Sequence, residues 1–96
     1  MSTLTLTSSK QGPLRPLVEA AIENQLRLLE AGIERTRERI MEFEVQYGMP
    51  TETFLRRYEN DELPETLPYA EWVGEHRMLI RLHEKAEILR GIDIAD

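Results

Sequence analysis

The sequence predicts an all-α protein: a long N-terminal amphipathic helix, a short middle helix and a C-terminal helix forming a helical hairpin or bundle, completed by a second chain. Three observations carry this. Apolar residues recur in alternating steps of three and four from Leu26 to Tyr47, the spacing of a helix seam. Gly48 with Pro50, and then Pro64 with Pro68, cut the chain into three helical stretches. The 96 residues, 41% hydrophobic and 31% charged, make one folded domain rather than a disordered tail. A chain this short hides only about two-thirds of its extended surface, so its own core is modest and a partner contributes to its stability.

Residues 1–13 set Leu4 and Leu6 against Thr3, Thr5 and Thr7 ahead of Gly12-Pro13. The alternation suits an edge strand, but a lone strand of this length does not support itself, so the segment is expected to be flexible or ordered only by a partner. Residues 14–90 form the single helical domain. Its first helix runs from Leu14 to Tyr47, with Pro16 tolerated in the first turn, where its missing amide is not needed. The seam is Val18, Ile22, Leu26, Leu29, Ile33, Thr36, Ile40, Phe43 and Tyr47, and Leu17, Ala21 and Leu28 widen it towards the N-terminus. Gly32 costs about 1 kcal/mol against alanine and marks either a bend or a close approach; a continuous helix is expected.

Gly48 stands where a left-handed helix end belongs, and Pro50 keeps Met49 out of helical geometry. A second helix, Thr51 to Asn60, follows from the spacing of Phe54, Leu55 and Tyr58, with Glu52 near its positive end. Residues 62–68 read as an extended connector. The third helix begins near Pro68 and ends near Arg90, with Tyr69, Trp72, Val73, His76, Leu79, Ile80, His83 and Ala86 along one face. Met78, Leu82 and Leu89 lie off that stripe, which implies a broad buried face or a second surface. Gly91 is a stop, and residues 91–96 are expected to fray.

The lengths do not match. At 1.5 Å per residue the first helix spans about 51 Å and the third about 33 Å, whereas a compact domain of this size has a radius of gyration of about 13 Å. An unbroken first helix therefore overhangs, carrying Val18, Ile22, Leu26 and Leu29 past what the third can cover. Those side chains are expected to meet another copy or the groove of a different protein, unless a kink at Gly32 folds them back.

Chemistry is sparse. There is no cysteine, and His76 and His83 are two helical turns, about 10.5 Å, apart, too far to share a metal. No phosphate loop, nucleophile elbow or metalloprotease pair occurs, so neither enzyme activity nor any cofactor or metal is expected. The 12 basic and 18 acidic residues give a net charge of −6, which favours a basic partner over nucleic acid. Glu30, Glu34, Glu38 and Glu42 form a column on the first helix. Arg27, Arg35, Arg37 and Arg39 stand three residues from these or other members, so the column reads as a solvated ion-pair lattice or as a row that steers onto a cationic cleft. Glu59, Asp61, Glu62 and Glu65 add to the acidic field. The N-terminal strand pattern faintly resembles that of ribbon-helix-helix repressors, yet it carries no Arg, Lys, Asn or Gln to read bases. No membrane span or leader is present in the pattern, and a cytoplasmic location is expected.

The stretch Tyr47-Gly48-Met49-Pro50-Thr51-Glu52-Thr53-Phe54, followed by Tyr58, Glu62-Leu63 and Glu71-Trp72, resembles small acidic all-helical antitoxins of prokaryotic type II toxin–antitoxin pairs. The likeness covers roughly residues 26–90. Pro50 stands where the family pattern has Ser or Thr, so the hydroxyl cap moves to Thr51 or is lost. The resemblance implies binding and neutralisation of a cognate protein toxin, a small ribonuclease-like protein, and assigns no catalytic residue. The candidate partner-binding residues are Val18, Ile22, Leu26, Leu29, Ile33, Ile40, Phe43, Tyr47 and Trp72 for the apolar seam, and Glu34, Glu38 and Glu42 for the acidic row. Two alternatives stay open: a homo-oligomeric helical scaffold or adaptor, dimeric or higher, and a dimeric autoregulator for which DNA is at most a weak contact.

Overall fold

A computed structural model describes residues 2–5 and 14–95, in the order β1 (Ser2–Thr5), α1 (Leu14–Tyr47), α2 (Thr51–Glu59), α3 (Leu67–Arg90) and β2 (Ile92–Ala95). Local chemistry sets each helix boundary. α1 runs unbroken through Gly32 and stops at Gly48, whose φ of 65° is the left-handed conformation expected there. The reversed backbone lets the Met49 N–H donate to the Glu44 carbonyl at 3.3 Å, which satisfies one of the open carbonyls of the last turn. α2 ends in the same way, with Asp61 at φ 57° and the Glu62 N–H donating to the Arg57 carbonyl at 2.9 Å. α3 opens on Thr66, whose Oγ1 accepts from the Tyr69 N–H at 3.2 Å, and Pro68 sits in the first turn where it is harmless.

α3 folds back along α1 to make an antiparallel hairpin. Phe43 stacks near Trp72, Arg39 pairs with Glu75, and Leu29 and Ile33 pack with Ala86, so the contacts descend α1 as they climb α3. Around the last cluster close Leu26 from α1 and Leu79, Leu82 and Leu89 from α3. The hairpin explains why both helices show an apolar stripe at helical spacing: each stripe is the other's cover.

The molecule is long, with extents of 61 × 21 × 18 Å and a Cα radius of gyration of 19.2 Å, against about 12–13 Å for a compact chain of this length. The overhang expected from the helix lengths is present, but it starts closer to the N-terminus. Leu29 is buried and Leu26 packs on the α1–α3 core, so these two meet the chain's own third helix rather than a neighbour. Only residues 14–25, about 18 Å of helix, lie beyond that last packed layer.

The two termini differ from the sequence expectation. β1 pairs in parallel with β2, Ser2 opposite Ile92 through Thr5 opposite Ala95. The alternation of Thr and Leu was a strand signal after all, and the tail after Gly91, expected to fray, supplies its partner. The pairing joins residues some 90 positions apart and leaves no mark in local sequence. The rest of the segment expected to be flexible, Met1 and residues 6–13, together with Asp96, lies outside the described residues.

Candidate partner-binding surface

The seam residues proposed from sequence divide into three groups. Leu29, Ile33, Ile40 and Trp72 are buried within the chain, with Trp72 at 0% exposure, and so have no surface left for a partner. Leu26, Phe43 and Tyr47 are half-buried against α3 or the aromatic cluster. Val18 and Ile22 are half-buried on the overhang, beyond the last packed layer. The seam is one feature in sequence and two in space: a core closed by α3 from Leu26 onward, and a half-buried stretch before it that α3 does not reach.

All six aromatic residues gather at the closed end. Trp72 lies parallel to Phe54, with centroids 3.9 Å apart, and to Phe43 at 5.6 Å, so one residue of α3 ties α1 to α2. Its indole N–H donates to Thr51 Oγ1 at 3.0 Å. Thr51 Oγ1 in turn donates to Glu44 Oε2 at 2.9 Å, and the Thr51 N–H donates to the same oxygen at 2.8 Å. The α2 terminus is thus capped by a carboxylate from the preceding helix rather than by a hydroxyl at position 50, which is Pro. Sequence reasoning placed Glu52 at that positive end and missed Glu44, because a cap reaching across a turn has no fixed spacing.

The outer face of α1 carries Glu34, Glu38 and Glu42, all exposed. The ion-pair lattice expected along this helix is not formed: among the described residues the same-helix pairs of Arg27, Arg35, Arg37 and Arg39 with these glutamates are all unmade, and Arg39 reaches instead to Glu75 on α3, Nη1 to Oε1 3.3 Å. Beside the row stand Met41 and Val45, 61% and 83% exposed. With Glu38, Glu42 and Gln46 they line a shallow hollow of about 430 Å³, which continues past Val45 to Met49 and Pro50. Met41 and Val45 were not among the residues proposed from sequence, since they fall off the seam; the only available signal was two large apolar side chains four residues apart between glutamates.

A second concavity, of about 570 Å³, lies on a different side of the hairpin, where α1 and α3 meet. It is lined by Leu28, Gly32, Arg35, Thr36 and Arg39 from α1 and by Glu71, Gly74, Glu75, Met78 and Leu82 from α3. Met78 and Leu82, which sat off the α3 stripe in the sequence, here form part of its wall. No group of three or more His, Asp or Glu side chains able to hold a metal occurs among the described residues, and no helix there is long and apolar enough to cross a membrane. Compared with protein-family models, curated proteins and solved structures, the chain matches none.

Proposed function

We propose that this chain is a non-enzymatic binding protein of the antitoxin kind, which neutralises a small cationic, ribonuclease-like protein by laying the outer face of α1 against its basic cleft. One observation carries the reading: Glu34, Glu38 and Glu42 stand without a paired cation among the described residues, directly beside the exposed Met41 and Val45. A carboxylate row kept free of internal partners keeps its field for an incoming surface, where it raises the association rate and selects against acidic partners. The adjoining apolar pair supplies the desolvated contact that holds the complex once formed. Val18 and Ile22 lie on the opposite, seam face of the helix and are not part of this footprint.

Co-expression tests this directly. The chain is expected to rescue growth from the toxic product of an adjacent small gene and to co-purify with it. Changing Glu34, Glu38 and Glu42 together to Gln is expected to slow association about tenfold at low salt, with helicity unchanged. Failure to rescue or co-purify removes the neutralisation reading, and an unchanged association rate removes the acidic row from it.

A further inference from the structure

We propose that the outer face of α1 binds the outer face of α3 in a second copy of this chain, so that hairpins stack side by side in a head-to-tail row. Each outer face lies opposite the side of its helix that closes the hairpin. On α1 it is the stripe Arg27, Glu34, Glu38, Met41 and Val45, and on α3 the stripe Ala70, Gly74, Arg77, Arg81 and Ile88. Both advance in steps of three, four and seven, the spacing of one helical face, and every one of these residues is exposed. The hairpin register fixes their heights. Counting from Phe43 beside Trp72 and Arg39 beside Glu75, Glu38 stands within a residue of the level of Arg77, and Glu34 of Arg81. A copy set alongside at the same height therefore brings two carboxylates onto two guanidinium groups. None of the four makes an ion pair among the described residues.

The two faces also match in bulk. Met41 and Val45, 61% and 83% exposed, stand level with Gly74 and Ala70, the two smallest residues of the α3 stripe. A Cβ on Gly74 would meet nothing within 4 Å, so the single chain has no packing reason for a glycine that lowers the helix equilibrium about fivefold against alanine. At the far end of the stripe Ile88, 63% exposed, is level with Arg27, whose aliphatic stem is long enough to cover it. Charge selects the occupant and its orientation. With a net charge of −6 the chain repels its own copies in most orientations. Acidic face on acidic face, or basic on basic, would add to that repulsion, whereas α1 on α3 sets opposite charges together. The two faces lie on opposite sides of one hairpin, so the contact is heterologous and each added copy presents the same faces again. The α1 face is also the one assigned above to the toxin, so stacking and toxin binding exclude each other there, while the α3 face serves stacking alone.

The experiment needs only the isolated chain and does not rest on the neutralisation reading. Sedimentation equilibrium is expected to give an average mass that climbs with concentration past twice the 11.2 kDa of the chain. Glu34→Arg with Glu38→Arg makes both outer faces basic, and Arg77→Glu with Arg81→Glu makes both acidic. Each pair of reversals is expected to lower the association constant at least tenfold with circular dichroism unchanged, all four positions being exposed. Mixed in equal amounts, the two variants are expected to associate again, because each supplies the face the other has lost. Gly74→Leu is expected to keep the fold and weaken the stack. A chain that stays monomeric up to millimolar concentration overturns the proposal and leaves the neutralisation reading standing. So does a mass that stops at the dimer, or a mixture no more associated than its two components.

Discussion

The two ends of α1 have the same kind of sequence and opposite fates. Near Tyr47 the helix meets α3 and α2 together: Trp72 and Phe54 are fully buried, and Glu44 holds the turn between helices through its backbone carbonyl and its carboxylate. Near Leu14 the same apolar spacing continues with no α3 beside it, leaving Leu17 66% exposed and Val18 and Ile22 half-buried. The difference teaches that periodicity reports what a helix face can bury, whereas burial depends on what the rest of the chain brings opposite. Stability is accordingly concentrated at one end, and the other is held mainly by helix propagation.

The largest test of this contrast is Trp72→Ala. It removes the stack between α1, α2 and α3 and leaves Thr51 Oγ1 without its donor, so urea denaturation is expected to show a loss of about 3–5 kcal/mol. Ile22→Ala, beyond the reach of α3, is expected to cost less, about 1–2 kcal/mol, since its side chain is only half-buried. Equal losses would erase the distinction. Glu44→Ala comes next, at about 1–2 kcal/mol, because it strips the α2 terminus of its acceptor; a loss within error would mean the turn is held by Gly48 alone. The smallest change goes the other way. Asp61→Gly relieves a left-handed non-glycine residue and is expected to add about 0.5–1 kcal/mol at the closed end.

The helices were legible in the sequence because their boundaries are set by local chemistry. Pro16, Gly48 with Pro50, Thr66 with Pro68 and Gly91 act through backbone geometry within a few residues, and each lies where an observed helix starts or stops. What depends on distance in sequence was not legible. The β1–β2 pairing joins the two ends of the chain, and the Glu44 cap crosses a turn. The seam named the core residues correctly as apolar and helical, but it could not say that Leu26 and Leu29 face Leu89 and Ala86 of the same chain's hairpin rather than a neighbour. The acidic row was visible from its four-residue step. That Glu42 stands unpaired follows from Arg39 turning to Glu75, a choice made by the tertiary fold, while nothing in the structure explains why Arg35 and Arg37 leave Glu38 and Glu34 unpaired.

Amide hydrogen exchange along α1 in the free chain tests the central contrast most directly. Residues 26–47 are expected to exchange only through opening of the hairpin, with protection close to the global stability, and residues 14–25 to exchange much faster by fraying. Uniform protection from Leu14 to Tyr47 would show that the N-terminal turns are covered as well as the rest, and would contradict an open end altogether.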